Sequence, residues 1–331
     1  MQLTTPVDIP TGKLAVTHKS RLMLIGSCFA SNIGKKLIEN KFQLQLNPFG
    51  ILYNPHSIAV ALERILDKRV FHESSPEIFY HQERWHSSMH HSDFSGRELN
   101  DTLAGINDSL CSAYSCLSAV DCLIITYGTA YVYRRKIDNS IVGNCHKLPT
   151  SEFTREILSV GEIVEKTMPI LQRIVAMRPS VKIIFTVSPI RHLRDGAHDN
   201  QRSKATLILA IEELLRLLPD NTAYFPAYEI MLDELRDYRF YAEDLVHPSS
   251  VTIDYIWERF EDYCFDSKTM ALNKEIEEIM RALSHKPFDE QSENYRTFIK
   301  KTLQKIESLK RREPYIDFDK EITKCNTILN R

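Results

Sequence analysis

Ser27, Asp244 and His247 are the residues whose types and spacing suit covalent chemistry. A serine hydroxyl is a weak nucleophile until a base takes its proton, and an imidazole acts as that base best when a carboxylate holds its other nitrogen. Asp244 and His247 stand three residues apart in Tyr241-Ala242-Glu243-Asp244-Leu245-Val246-His247-Pro248. In a loop closing onto a helix, that spacing lets Asp244 take the Nδ1 proton of His247 while Nε2 faces another group. The pair also suits a plain loop hydrogen bond, with Pro248 and Ser249 or Ser250 starting a helix. Ser27 likewise suits either a nucleophile or a helix N-cap.

The elements that must position these side chains are visible in the apolar pattern. Leu22-Met23-Leu24-Ile25 reads as a strand buried on both faces, Gly26-Ser27 as a tight turn, and Phe29, Ile33 and Leu37 as one face of a helix. A serine at such a turn lies at the C-terminal edge of a parallel sheet, where open α/β folds bind ligands and a helix N-terminus favours negative oxygen. Cys28 is a rival nucleophile, expected to point away if Ser27 points in. Further buried strands are expected at Cys122–Thr126 and Val181–Val187, and shorter ones at Phe42–Leu46 and Ala223–Phe225. Helices are expected over His56–Leu66, Leu99–Leu117 and Ile157–Met177, and Tyr131–Arg135 with Ile141–Cys145 as a hairpin.

Gly26-Ser27-Cys28-Phe29-Ala30 spells the motif for which the GSCFA family is named, and the chain resembles that family over about residues 5 to 260. The resemblance also takes in Asn47-Pro48-Phe49-Gly50, Tyr53-Asn54-Pro55, Tyr127-Gly128-Thr129-Ala130, Ser188-Pro189-Ile190-Arg191-His192 and Asp244-x-x-His247-Pro248. Serine on the first βα turn with a late Asp-x-x-His is similar to the SGNH (GDSL-like) esterase and lipase superfamily. The resemblance implies a three-layer, flavodoxin-like parallel sheet and ester chemistry, with Ser27, Asp244 and His247 as catalytic residues and no cofactor. It places Gly50 where such enzymes take a backbone N–H for the oxyanion hole. Where they have Gly-x-Asn after the third strand this chain has Gly128-Thr129-Ala130, so the hole is expected to use Ser27, Gly50 and Thr129. Asn54, His86, Arg191 and His192 are the expected substrate-binding residues. A glycine such as Gly50 also suits a turn of positive φ.

The totals bound the rest. The 331 residues, 43% hydrophobic, suffice for a large α/β domain at 1–264, with insertions at about 68–96 and 130–150, and a helical C-terminal extension at 265–331. That extension offers a surface for packing on the core or on a second copy in a homo-oligomer. Forty-two basic against forty-four acidic residues give a net charge of −2, with no overall attraction to nucleic acid or an anionic membrane. The histidine-rich 68–96 stretch suits a substrate-facing wall better than a metal site, because His86 and His90 lack an acidic partner in a zinc motif. Seven cysteines without Cys-x-x-Cys pairs, and no apolar leader or membrane span, point to a cytoplasmic protein. The function expected is a serine esterase or deacylase acting on a small-molecule or glycan O-acyl ester. The alternatives are an O-acyltransferase using the same acyl-enzyme and a noncatalytic carbohydrate-binding or scaffold protein on a hydrolase fold.

Overall fold

The computed structural model describes residues 5–10 and 14–330. In chain order it runs β1 (Arg21–Gly26), α1 (Cys28–Glu39), β2 (Gln43–Leu46), α2 (Pro55–Leu66), β3 (Ile78–His81), β4 (Arg84–Ser87) and α3 (Leu99–Leu117). Next come β5 (Cys122–Tyr127), β6 (Tyr131–Arg135), β7 (Ile141–Val142), β8 (Phe153–Ile157), α4 (Val160–Met177), β9 (Lys182–Val187), α5 (Gly196–Leu217) and β10 (Thr222–Phe225). The short α6 (Ala227–Glu229) leads to α7 (Ser250–Cys264), α8 (Ser267–Ser284), α9 (Glu293–Arg312) and α10 (Asp319–Leu329).

Strand residues alternate between the two faces of a sheet, so each apolar run feeds two cores at once. Met23, Ile25, Leu123, Ile125, Ile183 and Phe185 face α2, α3, α4 and α5. Leu22, Leu24, Cys122, Ile124 and Ile184 face α1 and α7, whose Phe29, Ile33, Ile256 and Phe260 cover them. The result is an α/β fold of helices on both faces of a five-stranded parallel sheet, ordered β10-β9-β5-β1-β2. The chain leaves β1 toward β2 on one side and returns to β5 on the other. That reversal opens a crevice at the C-terminal ends of β1 and β5, where doubly wound sheets bind ligands.

Two smaller sheets stand off the main one: the hairpin β3-β4, and the sheet β7-β6-β8 that rises beyond β5. The second corrects the sequence reading, because Phe153–Ile157 is a strand paired with β6 and the following helix begins only at Val160. Ser159 and Glu162 start that helix with a reciprocal capping box. The C-terminal extension consists of three helices among the described residues, α8, α9 and α10, and they enclose a separate core around Ile276, Ile299, Ile306 and Phe318. No described helix is long and apolar enough to cross a membrane.

Candidate active site

The turn after β1 is dictated by its backbone. Gly26 has φ +146°, and a Cβ there would lie 2.2 Å from the Thr126 carbonyl oxygen, so the sheet tolerates only glycine next to the turn. Ser27 follows as the N-cap of α1, its Oγ accepting from Phe29 N–H at 3.3 Å, and it is 1% exposed. Above it opens a cavity of about 610 Å³ whose lining includes Ser27, Cys28, Asn54, Thr129, His192 and His247.

His247 reaches this cavity from the other end of the α/β region. Its loop folds as a small hairpin, with Ala242 N–H donating to the His247 carbonyl at 2.8 Å and Ser249 capping α7. The Asp244 carboxylate accepts from Val246 N–H and His247 N–H at 2.9 Å each, and its second oxygen lies 2.6 Å from His247 Nδ1. The His247 and Val246 backbone donors and the imidazole hold Asp244 down at about 2. Leu245, between them, sits at φ +56°, a conformation this tight turn imposes on a branched side chain. Asp244 and His247 are half-exposed, and no direct hydrogen bond joins His247 to Ser27 among the described residues.

The donors expected for an oxyanion are engaged elsewhere. Ser27 N–H donates to the Thr126 carbonyl at 3.2 Å, and Gly50 N–H to the Asn47 carbonyl at 2.7 Å. Gly50 has φ +72° and packs so tightly on His91 that a Cβ would meet it at 2.3 Å, which accounts for the glycine as a turn residue. The Thr129 hydroxyl lies 3.0 Å from Ser203 Oγ and accepts from Tyr131 N–H at 3.1 Å. The Ser27 and Gly50 amides are therefore both occupied by backbone carbonyls in this structure.

The expected substrate residues divide in the same way. Asn54 lines the cavity while its Oδ1 caps α2 through Ser57 N–H at 2.8 Å. His192 lies beside Ser27: a Cβ on Gly128 would sit 3.4 Å from both His192 Nε2 and Ser27 Cβ. Burial, and then the charge of Lys204, push the His192 imidazole down to about 4, so it is neutral at pH 7. Arg191 does not line the cavity, and Arg194 and Arg155 do. His86 does not either: its two ring nitrogens lie 3.0 Å from the His81 carbonyl across the β3-β4 hairpin and 2.7 Å from Ser95 Oγ in the loop that follows it. His90 stacks on Phe49 at 4.3 Å, and of the stretch 68–96 only His91 reaches the cavity wall. No three His, Cys, Asp or Glu side chains group as metal ligands among the described residues.

Cys28, the β6 tyrosines and Lys204 complete the surroundings of the site. Cys28 lines the cavity instead of turning away, with its Sγ 3.6 Å from Tyr53 OH. Tyr131 and Tyr133, on one face of β6, form the outer wall with Arg155 of β8; their alternate spacing was the available signal. Lys204 is buried beneath the site and donates to the Gly128 and Ser188 carbonyls at 2.7 Å each, tying together the loops after β5 and β9.

With that geometry in view, the GSCFA family model matches residues 21–260, which contain Ser27, Asp244 and His247. The chain belongs to the GSCFA family. A model described as the C-terminal domain of GSCFA domain proteins matches residues 276–331, the segment from within α8 through α10. No curated protein matches this GSCFA chain. Among solved structures, it is similar to a chain from Streptococcus pneumonia provisionally named a platelet activating factor, at 12% identity and TM-score 0.37, covering 74% of this chain and 84% of that one. A likeness that distant carries nothing about the site.

Proposed function

We propose that this GSCFA protein is a serine ester hydrolase or deacylase on an SGNH-like fold, with Ser27 as nucleophile. The observation that carries the reading is the meeting of Ser27, buried at the β1–α1 turn, with the Asp244-bound His247 in one cavity at the switch point of the sheet. In the reaction, Ser27 Oγ attacks the acyl carbonyl as His247 Nε2 takes its proton, and the alcohol leaves with that proton. His247 then draws a proton from water, the hydroxide attacks the acyl-serine, and the proton returns to Ser27 as the carboxylic acid departs. Asp244 holds the imidazole in the tautomer with the proton on Nδ1 and stabilises it when charged.

Catalytic hydrogen bonds are commonly loose before substrate binds, and His247 stands half-exposed on a surface hairpin that borders the same cavity as Ser27. Turnover of phenyl acetate tests the reading. His247→Ala and Asp244→Asn should each lower kcat by about a thousandfold or more with folding intact. Equal turnover by wild type and both variants contradicts it.

The engaged Gly50 and Ser27 amides favour a second reading, a binding protein on the same fold. On that reading Ser27→Ala leaves ester turnover at the background of the uncatalysed reaction, as does the wild type.

A further inference from the structure

We propose that the cavity selects esters whose leaving group is a ring-bearing alcohol carrying an anionic substituent, carboxylate or phosphate, held by Lys147 and Arg194 at the mouth. This rests on the ester-hydrolase reading above and adds the substrate class to it.

Charge at the cavity is lopsided where the whole chain is not. The molecule carries −2, yet the lining holds three permanent cations, Lys147, Arg155 and Arg194, against the single carboxylate of Asp195 among the described residues. That carboxylate is already spoken for, because Arg155 holds it at 2.5 Å and its side chain is 4% exposed. Lys147 and Arg194 are exposed and make no ion pair among the described residues. Both border the same cavity, Lys147 from the loop before β8 and Arg194 from the loop after β9. Two unpaired cations at the rim of a low-dielectric recess focus a positive potential into it. The N-terminus of α1 on the cavity floor has the same sign.

Size and wall composition supply the rest. About 610 Å³ is far more than a small acyl group needs and suits a ring-sized leaving group. Tyr131, Tyr133 and Phe153 line the same space, with Tyr133 and Phe153 edge to face at 6.3 Å and Arg155 packed over Tyr131 at 4.0 Å. Such a wall offers flat apolar area with hydroxyl tips, which suits an aryl or sugar ring rather than a flexible chain. The cations then read the charge at the far end of that ring.

The test compares three acetyl esters with the full-length protein: phenyl acetate, 4-acetoxybenzoate and 4-acetoxyphenyl phosphate. The expected result is a kcat/KM at least about tenfold higher for an anionic ester than for phenyl acetate, the worth of one charge-assisted hydrogen bond. The gain should sit in KM and shrink as salt rises. The ratio between esters, measured within one protein, should fall to near one in Lys147→Gln/Arg194→Gln, and a ratio shared by the carboxylate and phosphate arms shows that charge alone is read. Turnover of phenyl acetate without preference for either anionic ester overturns the substrate class and leaves the hydrolase standing. No turnover of any ester, with Ser27 unreactive to a fluorophosphonate, overturns the hydrolase reading and this inference with it.

Discussion

Lys204 shows how one residue can set the geometry of a site it does not enter. It is 1% exposed, has no carboxylate partner among the described residues, and its ammonium is pushed down to about 7 by burial. Its two 2.7 Å bonds join the Gly128 and Ser188 carbonyls, and so fix the strand ends that flank Ser27 and His192. The sign of its effect follows from linkage. Unfolded, the amine keeps its proton up to the ordinary value of 10.5, so between about 7 and 10.5 the unfolded chain binds more protons and stability rises with pH. Lys204→Met should lack this rise, which urea titrations of both proteins at pH 7 and pH 9.5 would display. A parallel pH dependence in the two proteins contradicts the assignment.

Elements explain which parts of the site were legible in the sequence. Gly26→Ala should destabilise the protein by roughly 2 kcal/mol or more, since the new methyl group meets backbone rather than a movable side chain. Thermal melts check this, and a variant as stable as wild type would show that β1 can shift away from β5. The same glycine, its apolar strand and the following helix made Ser27 readable, because buried parallel strands and helix faces each have a distinct period. Leu99–Leu117 was readable for the same reason and has those bounds in the structure. β8 was not, since Thr154, Arg155 and Glu156 carry no apolar run and only pairing with β6 makes them a strand. The β3-β4 turn was hidden too, because Gln82 and Glu83 take positive φ without the usual glycine or asparagine. Placement of His86 followed from that hairpin, and the inward face of Cys28 from a helix start that sequence fixes only to within a residue or two.

At the scale of the whole molecule, the fold keeps several imidazoles neutral as part of its packing. Burial lowers His56, His146 and His192 to about 4 and His90 to about 3. In the unfolded chain they protonate near 6.5, so their contribution to stability is complete above that value and is lost as pH falls toward 4. The midpoint of thermal unfolding should therefore drop steeply between pH 6.5 and 4, and a flat profile there contradicts the neutral packing. The α/β sheet also has to bring Ser27 and His247 to one cavity, and the proposed chemistry depends on that convergence. Labelling with a fluorophosphonate, followed by mass mapping of the adduct, tests it most directly, because a base-assisted serine reacts and a serine that only caps a helix does not. A serine nucleophile activated by His247 should give an adduct on Ser27 that is lost in Ser27→Ala and in His247→Ala but persists in Cys28→Ala. An adduct that survives Ser27→Ala and vanishes in Cys28→Ala would make the thiol beside Tyr53 the nucleophile, and no adduct at either residue would contradict a covalent mechanism.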